Sequence, residues 1–178
     1  HPQGTRAAGL QIDKAEQFKN ELTALSGSVY QTKNVTKDII EFLKMRGVNK
    51  IHLEPNTLDE HLLREANIEY THEPDPQILV GVTKAVCGLA DTGSVLIADG
   101  DGSPLHGSLL PEIHIAVLRS PDILPSLPDA MKLPQVKESN VAVFITGPSR
   151  TADIEMTLTI GVHGPKEIHV FVDDSNSE

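Results

Sequence analysis

The stretch of sequence with the most local chemistry, TGPSR, directly follows the apolar, β-branched run Val141–Ile145, which is typical of a buried strand. Pro148 suits a first helical position, and Gly147 or Ser149 suits an N-cap, so we expect a helix to begin here. The amides of Gly147, Ser149 and Arg150 would then be exposed at a helix N-terminus, where anions bind. Arg150 would add a forked donor for a carboxylate or phosphate. The pattern predicts an anion-binding corner.

Two other interpretations of this corner stay open. In the first, Ser149 and Thr151 only cap the helix, and Arg150 only forms a weak surface pair with Asp153. In the second, the segment is a strand, because apolar residues alternate with polar ones. The alternating residues are Ile154, Met156, Leu158, Ile160 and Val162. The caps, the segment's length and Gly161 at a C-cap position favour the helix.

Acidic residues follow the corner closely in sequence. Asp153 and Glu155 would lie in the first two turns of the predicted helix, where negative charge complements the helix dipole. Glu155 is also a weak candidate for a general base or nucleophile.

Two further loops are expected to share a rim with the corner. Val80–Ala90 and Ser94–Ile97 are predicted as adjoining strands, and the turn between them offers Thr92, Gly93 and Ser94. In a parallel α/β sheet, ligands collect where strands end and loops meet helix N-termini. Hydroxyls, amides and one arginine at such a rim would suit a small carboxylate or a phosphorylated ligand, without a metal.

The other loop, residues 99–108, contributes His106 and Ser108 to the predicted site. Its glycines and acids resemble a calcium loop, but Leu110 stands where an EF-hand needs glutamate, so we exclude that interpretation. His106 and His114 flank Leu110 and Pro111, and each is either a ligand or proton carrier or a hydrogen-bonded structural residue.

Other metal-binding and nucleophilic residues are few. His163 and His169 are spaced too irregularly to predict a metal site. Cys87 lies in an apolar run and is expected to be a buried small hydrophobe rather than a nucleophile. As the single cysteine, it excludes an internal disulfide and any iron–sulfur cluster held by this chain's own cysteines. We therefore expect no cofactor on this chain.

Helices and strands alternate at short spacing in the first half of the sequence. Helices are predicted for Asp13–Leu25, for a segment that begins at Asn34 or Thr36 and ends near Gly47, and for Leu58–Ala66. The other predicted strands are Ser28–Gln31, Lys50–Leu53, Ile68–Thr71, Ile113–Leu118 and Glu167–Val172. The connector after Leu118 holds four prolines, which allow only short helical turns. This order predicts an α/β fold, with a mainly parallel sheet flanked by helices.

Composition limits the class of partner. The 178 residues fit one domain, in which residues 1–10 are expected to be loose and to be the cut end of a longer protein. The formal charge of −10 opposes binding to nucleic acid and to anionic membranes. The chain has neither an apolar run long enough for a membrane span nor a signal-peptide core, so we expect a cytoplasmic protein.

Blocks of the second half resemble a known family. TGPSRTADIE followed by GVHGPKEIHV, the turn ADTGSV, and LLP followed by HIAV resemble the signatures of the lactate-utilisation protein C family, or LUD domain. The blocks span Ala85 to Val172, about half the chain. The resemblance implies a fold like that of the NagB/RpiA/CoA-transferase superfamily. It also implies a role in oxidising L-lactate to pyruvate beside iron–sulfur partner proteins.

Two functions follow as hypotheses. The first is a non-catalytic subunit that binds iron–sulfur partners and a small organic acid. The second is a stand-alone enzyme or binding protein for a small carboxylate or a CoA-type or phosphorylated ligand. CoA-transferase relatives use a glutamate as nucleophile, but no such motif surrounds Glu155. There is no G-x-G-x-x-G, P-loop or G-x-S-x-G motif either, which favours the first hypothesis.

Overall fold

The computed structural model describes residues 13–98, 111–139, 141–148, 151–155 and 165–175, with the backbone alone at 141 and 151–155. The helices are α1 Lys14–Ala24, α2 Val35–Met45, α3 Glu60–Glu65, α4 Leu127–Ala130 and α5 Pro134–Lys137. The strands are β1 Ser28–Thr32, β2 Lys50–Leu53, β3 Glu69–Thr71, β4 Val80–Lys84, β5 Cys87–Leu89, β6 Ser94–Ala98, β7 Ile113–Arg119, β8 Ile123–Leu124, β9 Val141–Ile145, β10 Thr151–Glu155 and β11 Glu167–Asp173.

The first sheet has six strands in the order β1-β11-β7-β4-β2-β3, and every neighbouring pair is parallel. Strands β7 and β11 are apolar and buried through most of their length, as strands covered on both faces must be. The predicted α/β fold with a mainly parallel, helix-flanked sheet is confirmed.

A second sheet, which the sequence did not predict, has the order β10-β9-β6-β5-β8. Its pairs are antiparallel except for β5 with β8. The chain passes between the sheets at Ala85 and Val86. The Ala85 N–H donates to the Val117 carbonyl in the first sheet at 2.8 Å, and the Val86 N–H donates to the Leu96 carbonyl in the second, also at 2.8 Å. The run from 80 to 90, predicted as one strand, is therefore two.

Three apolar clusters define the layers of the fold. One packs α2 and α3 onto the outer face of the parallel sheet. A second fills the space between the sheets and includes Phe18 and Leu22 of α1. A third packs Ala130 and Val136, from α4 and α5, onto the outer face of the second sheet. Alternate residues of β7 belong to the first and second clusters, because successive strand side chains point to opposite faces.

The helix boundaries follow their caps closely. Asp13 caps α1 by accepting from the Ala15 N–H at 3.3 Å, and Asn34 caps α2 by accepting from the Lys37 N–H at 3.5 Å. Gly47, with φ of 68°, follows the end of α2. After β7 the prolines permit only a 3-10 turn, α4 and α5, as predicted.

The helix predicted after Thr146 is wrong, because the chain there forms β10. This strand pairs antiparallel with β9, with Asp153 opposite Val143. The alternating apolar and polar residues fit a strand that pairs with the open edge of β9. The hydrogen bonds between β9 and β10 outweigh the local cap signals. Gly161 and the loop 99–108 lie outside the described residues. None of the helices within the described ranges has the length and apolar character to cross a membrane.

Candidate functional site

The anion-binding corner loses its predicted basis, because no helix N-terminus exists at residues 151–155. Thr151 begins β10 opposite Ile145, and Glu155 ends it opposite Val141. Neither Asp153 nor Glu155 can therefore serve a helix dipole here. The other predicted site residues His106, Ser108, Ser149 and Arg150 lie outside the described residues.

The structure brings together the 92–94 turn and Thr146, which were predicted to share a rim. Adjacent strands β6 and β9 place them side by side, with Val95 opposite Ile145. Their hydroxyls form a chain, in which Ser94 Oγ lies 2.8 Å from Thr92 Oγ1 and 2.8 Å from Thr146 Oγ1. Because each hydroxyl both donates and accepts, this chain holds the two turns together.

Two glycines of these turns pack directly against the C-terminal end of α1. A Cβ on Gly93 would lie 2.4 Å from the Leu22 backbone nitrogen, and one on Gly147 would lie 2.9 Å from Leu25 Cβ. The Gly93 N–H already donates to the Leu89 carbonyl at 2.8 Å. These turns therefore have a structural role, and ligand binding by Thr92, Gly93 or Gly147 stays a prediction.

Two buried histidines are held by hydrogen bonds. His114 has no exposed surface, and its Nε2 lies 2.5 Å from Thr83 Oγ1. Burial lowers the pKa of His114 to about 3, so the ring is neutral at physiological pH. His169 contacts Glu167 at 2.9 Å and the Tyr30 hydroxyl at 3.0 Å, and burial lowers its pKa. Both are structural residues rather than exposed proton carriers.

Cys87 is fully buried, as predicted. Burial, with a smaller contribution from Asp122, raises the pKa of its thiol to about 12. A thiol that stays protonated at neutral pH is a poor nucleophile and a poor metal ligand. Among the residues that the structure describes, no group of three or more histidine, cysteine or acidic side chains is placed to hold a metal ion.

A cleft of about 480 Å³ lies at the carboxyl edge of the parallel sheet. Glu54 follows β2, Lys84 ends β4, and Arg119 ends β7, and all three line the cleft. Because β2, β4 and β7 are neighbours and parallel, their carboxyl ends meet at one edge, where α/β proteins bind their ligands. Asp122 and Glu138, from the connector after β7, also line the cleft.

The charges in the cleft are only partly matched. Glu54 Oε2 accepts from the Lys84 backbone N–H at 2.5 Å, and burial raises the pKa of Glu54 despite that bond. Arg119 lies 3.9 Å from Asp122, and both side chains are more than a third exposed, so this pair is weak. Over the described ranges, the Lys84 ammonium makes no ion pair.

This cleft was not predicted from the sequence, although the sequence carries a signal for it. Lys84 and Arg119 are the polar residues that end the apolar runs VGVTK and IHIAVLR. Charged residues at the carboxyl ends of buried parallel strands are candidates for ligand contacts. The cleft also needs the second sheet and its connector, which the sequence did not predict.

The parallel sheet with helices on its faces defines an α/β protein, and its polar cleft lies at the carboxyl edge of the sheet. The sequence model of the LUD domain matches residues 76–172, more than half of the chain, and the chain belongs to the LUD domain family. The resemblance seen in the sequence is confirmed. A crystal structure of a DUF162 family protein from Deinococcus radiodurans has the same fold, with a TM-score of 0.64. It is 17% identical, and the match covers 91% of this chain and 99% of that one.

Curated relatives share more of the sequence. Lactate utilization protein C of Geobacillus sp. (strain WCH70) is 36% identical over 115 residues, which are 61% of this chain and 46% of that protein. Lactate utilization protein C 1 of Bacillus mycoides is 36% identical over 118 residues, 62% of this chain and 49% of that protein. Lactate utilization protein C of Bacillus subtilis is 37% identical over 105 residues, which are 55% of this chain and 44% of that protein. The chain spans about half the length of the curated relatives it matches.

Proposed function

We propose that this chain is a component of a lactate-utilisation system that oxidises L-lactate to pyruvate and acts with iron–sulfur partner proteins. The observation that carries the proposal is the similarity to proteins named lactate utilization protein C, at 36% identity over 115 residues in one of them. The match of the LUD domain model to residues 76–172 supports the same family.

We also propose that the iron–sulfur clusters belong to the partners and that this chain carries no cofactor. A typical cluster needs four thiolate ligands, and this chain has one cysteine. Burial and the raised pKa of Cys87 argue against its use as a ligand. Iron content of the chain purified alone tests this proposal, and stoichiometric iron would contradict it.

The experiment for the function uses a Bacillus subtilis strain that lacks its own lactate utilization protein C. We expect expression of this chain to restore growth on L-lactate as carbon source, relative to the empty vector. We also expect an affinity-tagged chain to co-purify with iron–sulfur proteins, identified by mass spectrometry, when the cells grow on lactate. Failure of both growth and co-purification would reject the role.

A second candidate function, favoured by the cations of the cleft, is binding or conversion of a small carboxylate. The corner around Arg150, predicted from the sequence, is a second candidate site for carboxylates, CoA-type ligands or phosphates. Thermal shift with L-lactate, pyruvate, a coenzyme A thioester and phosphate tests this, because a ligand of the native state raises the melting temperature. A shift that Arg150→Ala abolishes would support the corner, and an unchanged shift would remove Arg150 from the site.

A further inference from the structure

We propose that the cleft at the carboxyl edge of the parallel sheet binds a small hydroxy acid, with Lys84 and Arg119 on its carboxylate and Glu54 on its hydroxyl. This site differs from the corner predicted from the sequence. The inference rests on the proposed function for its first probe, L-lactate. The position of the cleft, the unused hydrogen-bond donors of its two cations and its charge balance carry the rest.

The position of the cleft is set by the fold. Three adjacent parallel strands end there, and the strand register fixes their relative heights, with Leu53 opposite Val82 and Lys84 opposite Val117. The Glu54 N–H donates to the Val82 carbonyl at 2.9 Å, which extends the ladder to the edge of the cleft. Side chains placed on such strand ends are held more firmly than side chains on free loops.

The cations of the cleft have donors to spare. Arg119 presents five N–H donors, and its contact with Asp122 at 3.9 Å is too long to be a hydrogen bond. Lys84 uses its backbone N–H on Glu54, and no described acid lies within ion-pair distance of its ammonium. Together they provide charge-assisted donors for one carboxylate.

The acids of the cleft restrict the kind of anion. Its lining carries two cationic side chains, Lys84 and Arg119, against three acidic ones, Glu54, Asp122 and Glu138. This excess of negative charge opposes the binding of a phosphate ester or another polyanion more strongly than the binding of a monoanion. A monoanion that also carries a hydroxyl satisfies both kinds of group, because an acidic side chain accepts from that hydroxyl.

Glu54 is the acid best placed to contact the hydroxyl. It is half-buried, one of its oxygens is held by the Lys84 N–H, and burial raises its pKa. Ionised, its carboxylate accepts from a hydroxyl, and protonated, it donates to a keto oxygen. The same site therefore fits a 2-hydroxy acid and the matching 2-oxo acid. The cleft is larger than a three-carbon acid needs, so longer hydroxy acids are expected to bind too.

The test is calorimetric titration of the purified chain with L-lactate, pyruvate, propionate and inorganic phosphate. We expect saturable binding of lactate and pyruvate, propionate binding roughly 10-fold weaker because it lacks the oxygen, and no phosphate binding. Lys84→Gln and Arg119→Gln should each raise the lactate Kd by roughly 10-fold or more. Both side chains are exposed, so the variants should fold. Lys166→Gln, which removes an exposed cation outside the cleft lining, is the matched control and should bind like wild type.

The role of Glu54 is tested by comparing lactate with propionate binding in a single variant. Glu54→Ala should bring the lactate and propionate Kd values to within about twofold of each other, while both acids still bind through the cations. Absence of saturable binding by lactate and pyruvate, or lactate binding unchanged in Lys84→Gln and Arg119→Gln, would overturn the proposal. So would phosphate binding that is tighter than lactate binding.

Failure of the site and failure of the proposed function give different results. If the folded chain binds lactate as described but does not restore growth or capture iron–sulfur proteins, the lactate-utilisation role is rejected and the cleft stands. If growth is restored and Arg119→Gln supports it equally, with no lactate binding in either protein, the role stands and the cleft is rejected.

Discussion

Gly93 and Gly147 show how single residues fix the part of the chain that was expected to bind an anion. Both have positive φ, 70° and 81°, and both lie where a Cβ would collide with the end of α1. From the sequence, glycine beside hydroxyl residues indicated exposed amides. The approach of α1, which comes from a distant part of the chain, gives these glycines a packing role instead. No local pattern reports that approach.

Gly93→Ala is therefore expected to destabilise the fold more than Gly47→Ala. Both positions have nearly equal φ, 70° and 68°, so each variant should lose about 1 kcal/mol for the left-handed backbone. At Gly47 no atom of the described residues lies within 4 Å of the added Cβ, whereas at Gly93 the Leu22 nitrogen lies at 2.4 Å. Overpacking should add roughly 1–3 kcal/mol at Gly93. Urea unfolding measures both variants, and equal losses would show that the contact with α1 is relaxed in solution.

The functional residues were predicted less well than the local structure. Thr92, Ser94 and Thr146 were expected to meet, and they do, through their hydroxyls. Lys84 and Arg119 were not singled out, because Lys84 lay inside the predicted strand Val80–Ala90 and Arg119 directly followed the predicted strand Ile113–Leu118. Their meeting depends on the strand order of the sheet, which short sequence patterns do not encode.

Helices and strands with strong periodicity and caps were predicted almost to the residue. α1, α2 and β2 are examples, since Asp13 and Asn34 provide caps and the apolar spacing matches one face. The second sheet was missed because Ala85 and Val86, where the chain passes between the sheets, are both apolar, and a single lysine before them did not mark the end of a strand. The helix predicted after Thr146 failed because the antiparallel pairing of residues 151–155 with the preceding strand β9 outweighs the cap signals.

The pairing of β10 with β9 predicts a specific disulfide. Glu155 lies opposite Val141 in the antiparallel register, and such pairs have Cα atoms about 4.5–5.5 Å apart, within disulfide range. Glu155→Cys with Val141→Cys should form a bond under mild oxidation. Glu155→Cys with Val143→Cys is the control, because diagonal neighbours are about 7–8 Å apart and should stay reduced.

Thiol counting by mass spectrometry after denaturation separates the outcomes of this experiment. Buried Cys87 should remain free in both double variants. A bond in the control, or none in the registered pair, would contradict the strand and restore the helix as the better interpretation of residues 151–155.

At the scale of the whole molecule, the two sheets enclose an apolar layer in which a buried histidine makes stability depend on pH. His114 lies on β7 with no exposed surface, and the face it shares with Ala116 and Leu118 packs against the second sheet. Its ring bonds to Thr83, and its Nδ1 has no hydrogen-bond partner in the described structure. A neutral ring tolerates this site, and a charged one does not.

Stability should therefore fall as the solution is acidified below the ordinary histidine pKa. The unfolded chain protonates His114 below about pH 6.5, whereas the folded chain does so only near its lowered pKa of about 3. Between these values the unfolded state binds more protons, so its relative free energy falls as pH falls, by at most about 1.4 kcal/mol per pH unit from this residue. Glu167 has an effect of the same sign at lower pH. The hydrogen bond from Arg46 lowers the pKa of Glu167 to about 2, and the resulting stabilisation is lost as the pH falls below the ordinary pKa of a glutamate.

The measurement is the free energy of urea unfolding at several pH values between about 7 and 5. His114→Gln cannot take up the proton and can still bond to Thr83, so its stability should vary with pH by about 1 kcal/mol less per pH unit than that of the wild type. His61→Gln is the control, since it removes a histidine whose side chain is 69% exposed and lies outside the buried layer. If His114→Gln keeps the wild-type slope, the ring is protonated or exposed in solution, and the two sheets do not exclude water as closely as their apolar layer indicates.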